Sequence, residues 1–454
     1  MTTTTTRRIA FHGDGGGTAP CTVGQWDFWR KMRRPGEPSF ADTTSGGLLP
    51  EGLALDEVLD GLRLLIERHQ SLRTLFHGDD HALNQEVLAE GELTVWLVRV
   101  DAVDDLHAFA GDWRPRPPGA QHDPAAELPF AARIVLLHDR PVVFQLWMSH
   151  LAADFLSGQV VAAEFVRLLQ GGLTGVPRAV QPAEKAVRER SPQGRRALEQ
   201  ALDHWRRELA AAPPTMFPAP PGPPATPRFW RGGLRSRAVP LALDAVAARH
   251  RVGTTHVLLA AATVLLGLHT GRDRCAVRLM AGNRAGKDLH NAVGNLAQET
   301  ISVIGLGGET FGDVVREAWK ASFRAQRHGQ FDADLAARLV AGSGVDLSVA
   351  FNDLWTPTRT RLPGPPAPPG ESSFAWERRV ERASVTFFLE VFRVVEDPHA
   401  VRLSLLADTA HFPPPVIPAF LSGIENLLAE LADRDLPLSE IAPVRPAPRP
   451  VPAS

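Results

Sequence analysis

The sequence predicts a mixed α/β protein (α+β sandwich type) of two lobes, and three observations carry that prediction. At 454 residues the chain is longer than one hydrophobic core, since single cores stop growing at about 250 to 300 residues. Both halves mix amphipathic helical patterns with short strands that read mainly as hairpins. Between the halves, Ala212 to Pro227, with its PP and PGPP steps, is the clearest linker. The boundaries that follow are a flexible leader over 1–19, an N-terminal lobe over 20–180, a connecting helix and Pro-rich linker over 181–227, a C-terminal lobe over 228–440, and a disordered tail over 441–454.

In chain order, the leader lacks the continuous apolar core of a signal peptide. Its Gly15 to Gly17 run is not followed by the Lys-Ser/Thr of a phosphate loop. Thr22 to Met32 sets Val23, Trp26 and Trp29 at helical spacing, with Thr22 as cap. Leu55 to His69 is an amphipathic helix through Val58, Leu59, Leu62 and Leu65, and it runs into the segment ERHQSLRTLF at Glu67 to Phe76. A strand at Leu93 to Val100 precedes a short acidic helix at Ala102 to Asp112. Phe130 to Leu137 and Val142 to Met148 pair as a hairpin across His138, Asp139 and Arg140. Glu184 to Ala211 is charged and helical, whereas His256 to His269 is apolar, buried and too short to span a bilayer. Short strands at Ala276 to Met280 and Ile301 to Ile304 lead to a helix at Phe311 to Gln326. Leu347 to Phe351 then runs into Asn352 and Asp353, and a Pro-rich excursion spans Pro363 to Pro369. Strands at Ser384 to Phe392 and Val401 to Ala407 and a helix at Val416 to Leu431 complete the lobe.

Composition excludes several function classes. A formal net charge of −2 gives no electrostatic case for nucleic acid or an anionic membrane. No run reaches 18 apolar residues, so a soluble cytoplasmic protein is expected; the chain is expected to be a monomer. The two cysteines, Cys21 and Cys275, are far apart and form no CxxC, which argues against a disulfide framework, a structural zinc site and a redox pair, and no metal site is expected. Tyr is absent, so no phenol serves as acid, base or oxyanion donor.

The chemistry concentrates at Pro141 to Val160, PVVFQLWMSHLAADFLSGQV. A buried strand rich in β-branched and aromatic residues ends abruptly at Ser149, His150 and Asp154, with Phe155, Ser157 and Gly158 next and an amphipathic helix from Val160 to Leu169. A histidine at the mouth of a buried strand is desolvated yet reachable, and an ordinary pKa of about 6.5 suits it to general-base work. In a chain with 16 histidines one His-x-x-x-Asp spacing arises by chance, so the spacing decides nothing without its context.

That context is a resemblance to the condensation domains of nonribosomal peptide synthetases, within the chloramphenicol acetyltransferase-like acyltransferases. MSHLAADFLS resembles the family's HHxxxDGxS motif, with His150 on the second histidine, Asp154 on the aspartate and Ser157 on the trailing serine. RHQSLRTLF, from Arg68 to Phe76, is similar to RHExLRTxF, and TVGQWDFW more loosely to SxAQxRLW through Gln25 and Trp29. AGNRAGKDLHNAVGNLAQET resembles GRxxxExxxxIGxFVNT, with Arg284 on the arginine and Gly294 in register, while VAFND and LLADTAHF resemble strand elements of the second lobe.

The resemblance implies two chloramphenicol acetyltransferase-like lobes in a V with a central tunnel, and His150 as the catalytic residue. Asp154 and Arg284 are implied as an ion pair that props the motif. Ser149, Phe155, Ser157, Gly158 and Asn352 are candidate tunnel or substrate contacts. No bound cofactor is implied. Substrates arrive on phosphopantetheine arms of acyl or peptidyl carrier proteins, here expected in trans because no carrier segment has room in the chain, and a small-molecule amine or alcohol is the acceptor. A coenzyme A-dependent acyltransferase of the same fold and a degenerate, non-catalytic recruitment domain are the competing readings.

Three departures bear on those expectations. Ser149 replaces the first histidine, and LAQET replaces FVNT, placing Gln298 and Glu299 where the family has Val and Asn. Phe155 replaces the motif glycine, which adds bulk near His150 and restricts φ.

Overall fold

The computed structural model describes residues 2–33, 42–109, 111, 113–117, 120–173, 176–359 and 370–444. Its elements in the first part of the chain are β1 (Thr3–His12), β2 (Gly17–Pro20), α1 (Val23–Met32), β3 (Thr43–Leu48), α2 (Leu55–Arg68), β4 (Thr74–Gly78), β5 (Leu83–Val87), β6 (Glu90–Val100), β7 (Phe130–Leu137), β8 (Arg140–Met148), α3 (Phe155–Leu169), α4 (Pro182–Arg190) and α5 (Pro192–Ala211). Then come β9 (Phe229–Ser236), α6 (Ala238–His250), α7 (Thr254–Thr270), β10 (Arg274–Ala281), β11 (Gln298–Gly305), α8 (Phe311–Arg327), α9 (Ala333–Ser343), β12 (Val349–Asp353), β13 (Ser373–Val380), β14 (Phe387–Arg393), β15 (Val401–Asp408) and α10 (Val416–Asp433). The mixed α/β class read from the sequence is the class found.

The described residues divide into two compact units: the chain up to Glu199 with Gly282–Gln298, and Gln200–Ala281 with the residues from Glu299 onward. The first unit is built on a five-stranded sheet, β1-β6-β7-β8-β3, in which β6 and β7 run parallel and the other neighbours antiparallel. Alternation decides its faces. Leu93, Val95 and Leu97 of β6, Ala132 and Ile134 of β7 and Phe144, Leu146 and Met148 of β8 pack with Val58, Leu62 and Leu65 of α2 and Val161 and Phe165 of α3. The β7–β8 hairpin closes at His138 and Asp139, both at positive φ (50° and 63°), the backbone that matches the strand twist. Strands β2, β5 and β4 form a separate three-stranded sheet.

The second unit is a seven-stranded sheet, β11-β10-β12-β14-β15-β9-β13, with β10–β12 and β12–β14 parallel and β14–β15, β15–β9 and β9–β13 antiparallel. Helix α7 is apolar all round because it is a core helix, with Val257 to Gly267 buried without interruption. Among the described residues no single helix is long and apolar enough to cross a membrane, and the apolar pair α6 and α7 bends by 102° at its break.

Five expectations are corrected. The leader over 1–19 is not free chain: β1 pairs along its whole length with β6, from Thr3 opposite Arg99 to His12 opposite Glu90, and Phe11 is fully buried. The acidic helix at Ala102 to Asp112 is a 3-10 segment, Val103–Phe109, and residues 110 and 112 lie outside the described residues. The charged helix is two, because Pro192 has no N–H to continue α4 and opens α5 instead. The Pro-rich stretch of the 181–227 linker has no helix or strand from 212 to 227, yet Met216 and Phe217 are buried in the second unit's core. The C-terminal lobe over 228–440 is also not continuous, since Gly282–Gln298 belongs to the first unit, held there by contacts described below. The Pro-rich excursion at Pro363 to Pro369 and all but 441–444 of the tail lie outside the described residues.

Candidate functional site

Strand β8 ends at Met148, and the loop from Ser149 to Asp154 turns the chain into α3. Its carbonyls are tied down one after another. Ser149 accepts from the N–H groups of Ala152 and Ala153 at 2.9 and 3.0 Å, closing a tight turn. The His150 carbonyl accepts from Asn295 Nδ2 at 2.8 Å, that of Ala152 from Ser71 Oγ at 2.5 Å, and that of Ala153 from Thr43 Oγ1 at 2.7 Å. Buried backbone acceptors need partners, and here they come from three distant segments, which fixes the loop in one geometry.

Asp154 is the helix cap and the hub of the loop. Its Oδ1 accepts from the backbone N–H of Ser157 at 2.9 Å, as an N-cap carboxylate does. Arg284 donates to both of its oxygens, at 2.9 and 2.7 Å, in the fork geometry that suits a carboxylate. The N–H groups of Leu296 and Ala297 donate to Oδ2 at 3.0 and 3.1 Å. Both side chains of the pair are buried, at 3% and 8% exposure. Burial raises the Asp154 pKa, but the Arg284 charge and hydrogen bond and the Ser157 and Leu296 N–H groups outweigh it and hold the carboxyl below its ordinary value. Ser157 Oγ completes the knot, accepting from Arg284 and the Gly294 N–H and sharing its one proton between Asp154 Oδ1 and the Gly294 carbonyl. These bonds explain why Gly282–Gln298 belongs to the first unit.

His150 sits on this frame, partly covered, with its ring stacked on Phe28 of α1 at 4.5 Å between centroids and 21° between planes. Its Nδ1 is buried and has no hydrogen-bond partner among the described residues. Desolvation lowers its pKa, against the opposing effects of its own backbone carbonyl and the Asp154 and Asp42 carboxylates, so the imidazole is neutral near pH 7. A neutral imidazole in a partly dry site can accept a proton or a hydrogen bond from an attacking group.

The other candidates divide. Ser149 is buried at the turn, its N–H donating to Pro129, so it shapes the loop. Ser157 and Gly158 are also buried: Ser157 bonds within the Asp154 knot, and a Cβ on Gly158 would meet Thr43 Cγ2 at 2.6 Å and Ser45 Oγ at 2.9 Å. Glycine there lets α3 pack against β3. Phe155 is half-buried at the first position of α3 and is absent from the positive-φ residues, so the predicted backbone restriction does not arise. Asn352 lies in the second unit on β12, opposite Glu390 of β14, while its neighbour Asp353 caps a turn through Trp355 and Thr356. Glu299, also in the second unit, is ion-paired to Arg278 at 3.4 Å.

Sequence reasoning missed Phe28, Asn295, Thr43 and Ser71. Ser71 was within reach, since it lies inside RHQSLRTLF. That segment is structural throughout: Arg68 and His69 both reach Glu164 Oε2 of α3, at 2.9 and 2.7 Å, and fully buried Arg73 donates to the carbonyls of Asp14, Gly15 and Leu88. Cys21 and Cys275 are buried free thiols whose pKa values burial pushes up, that of Cys275 to about 12. No group of three His, Cys, Asp or Glu among the described residues is placed to hold a metal ion.

Comparison with known proteins places this geometry. Residues 39–435 match the family model described as Condensation domain. Phosphinothricin tripeptide synthetase PhsB of Streptomyces viridochromogenes is 28% identical over 309 residues, covering 64% of this chain and 25% of that protein. AMB antimetabolite synthetase AmbB of Pseudomonas aeruginosa is 30% identical over 268 residues, covering 57% and 21%. The chain thus spans a quarter or less of these relatives. Among solved structures, the condensation domain from monacolin K polyketide synthase MokA superposes with a TM-score of 0.70 at 17% identity, covering 93% of this chain and 99% of that one. SgcC5 protein from Streptomyces globisporus does so at 0.65 and 16%, covering 91% and 98%. These likenesses establish the chloramphenicol acetyltransferase-like fold. Since the family match runs through both units and includes the His150 loop with its Arg284 tie, the chain belongs to the condensation-domain family.

Proposed function

We propose that this chain is an acyltransferase that joins an acyl thioester, carried on the phosphopantetheine arm of a carrier protein, to an acceptor amine or hydroxyl in the assembly of a specialised metabolite. The observation that carries this reading is His150: a neutral imidazole at a strand end, on a loop whose carbonyls are held from three directions. The acceptor nitrogen or oxygen attacks the thioester carbon, a C–N or C–O bond forms, and the C–S bond breaks. The acceptor's proton passes to His150 and leaves with the thiol. A positioned acceptor and base supply most of the rate in such a reaction, by alignment and by proton transfer. Asp154 and Arg284 prop the loop and take no proton.

No bound cofactor is required, and we place the reaction in the cytoplasm. The test is acyl transfer to a panel of amines and alcohols from the same acyl group on a phosphopantetheinylated carrier and on coenzyme A. Turnover from the carrier alone supports the proposal; equal turnover from coenzyme A makes the chain a coenzyme A-dependent acyltransferase.

A second reading, a domain that recruits partners without catalysis, draws on Phe155 and Ser149 standing where the motif has glycine and histidine. The X-domain from teicoplanin biosynthesis, solved in complex with OxyB, superposes with a TM-score of 0.63 at 18% identity, covering 93% of this chain and 95% of that one. Absence of transfer from any thioester, together with stable capture of a carrier or tailoring enzyme, would favour it.

A further inference from the structure

The ring of His150 and its backbone are held separately, and the two holds meet on one face of α1. Asn295, 1% exposed, fixes the backbone through its 2.8 Å bond to the His150 carbonyl. A backbone hold leaves the imidazole free about χ2, a torsion whose wells are broad and roughly two-fold. Phe28 removes that freedom: a face-to-face contact at 4.5 Å and 21° holds one ring plane and covers one of its faces.

Phe28 is itself placed with little slack. Thr22 and Gln25 form a reciprocal capping box at the start of α1, with bonds of 3.1 and 2.9 Å. One turn before Phe28, on the same face of the helix, stands Gly24. A Cβ there would meet the Asn295 carbonyl oxygen at 2.8 Å and that of Leu296 at 3.4 Å, so only glycine lets α1 lie this close to the segment that holds His150. Gly24, Phe28 and Asn295 thus form one frame around the histidine, all within the first unit.

We propose that Phe28 is a positioning residue for His150: its ring fixes the imidazole plane so that the accessible edge meets the acceptor, within the frame set by Gly24 and Asn295. The kinetic part of this inference rests on the function proposed above. The geometric part does not.

The experiment compares the full chain with Phe28→Leu, which keeps an apolar side chain, and Phe28→Trp, which keeps an aromatic face. The first readout is the ring-proton resonances of His150 in histidine-labelled protein, assigned by their loss in His150→Ala. The second is thiol release from the acyl group on a phosphopantetheinylated carrier with an amine and an alcohol acceptor. In Phe28→Leu the His150 protons should leave the shielded face of the benzene ring and move downfield. kcat should fall by about 10- to 100-fold, with KM for the thioester unchanged, as misplacement on the 1 Å scale does. Phe28→Trp should restore both readouts, which a role in stability alone would not require. Unmoved His150 resonances in a folded Phe28→Leu protein, or wild-type kcat in that variant, would overturn the proposal. Full turnover by His150→Ala would overturn the catalytic reading instead, and the resonance shifts would still decide whether Phe28 sets the ring.

Discussion

Arg284 closes on Asp154 with both terminal guanidinium nitrogens, at 2.9 and 2.7 Å, across 130 residues of sequence. The pair is buried, so neither charge has water to fall back on once its partner is removed. Asp154→Ala or Arg284→Ala should therefore destabilise the fold by about 3 to 5 kcal/mol. Denaturant unfolding measures it, and activity lost in either variant should follow the unfolded fraction. A loss below about 1 kcal/mol would mean that the pair is not the prop described here.

The same carboxylate sets an acid limit. Its pKa is held below the ordinary Asp value, so its contribution to stability is complete above about pH 4 and is lost as pH falls through the depressed value. Asp154→Asn should flatten that part of the stability–pH curve and lower its neutral plateau.

His150 titrates with the opposite consequence. Its pKa is depressed by burial, so at pH 7 the ring is neutral in both the folded and the unfolded chain. Below about pH 6.5 the unfolded chain takes up the proton first, and this group then subtracts from stability. A rate that depends on the neutral ring should stay flat from pH 7 to below 6.5 and fall only at more acid pH. A pH–rate profile that halves at or above pH 6.5 would contradict this assignment.

Two small side chains of α3 carry packing. Ser157→Ala removes the hydroxyl that accepts from Arg284 and the Gly294 N–H and donates to Asp154 Oδ1 or the Gly294 carbonyl, and should cost about 2 kcal/mol by leaving buried groups unpaired. Gly158→Ala places a methyl group 2.6 Å from Thr43 Cγ2 and should cost about 1 to 3 kcal/mol by pushing α3 off β3. Thermal unfolding of the two variants separates these effects from any change in kcat per folded molecule.

Phe155 occupies ordinary helical backbone, so Phe155→Gly should lose about 1 kcal/mol of helix stability and keep turnover. If the half-buried ring limits the acceptor, the glycine variant should accept bulkier amines or alcohols. Unchanged acceptor range would assign Phe155 to packing alone.

Much of this arrangement was legible in the sequence because its determinants are local. The strand ending in Met148 shows in its apolar run and the α1 start in Thr22, whereas the helix expected from Val160 begins five residues earlier, at Phe155, because Asp154 caps it. Arg284 was found only through a motif in register, since nothing in its own surroundings says that it crosses 130 residues to a carboxylate. β1 was missed because a Thr- and Arg-rich edge strand is exposed along most of its length and has no alternating apolar face to betray it. Phe28 and Asn295 were missed for a related reason. A phenylalanine on a helix and an asparagine in a loop become site residues only when tertiary packing brings them to His150.

The central claim is that His150, held by this frame, moves the acceptor's proton during acyl transfer. The most direct measurement is turnover of a carrier-bound acyl thioester with an amine or alcohol acceptor by His150→Ala, with circular dichroism and thermal unfolding of the same protein. The account predicts turnover reduced by about 100-fold or more in a chain that stays folded. Wild-type turnover by a folded His150→Ala protein would contradict it.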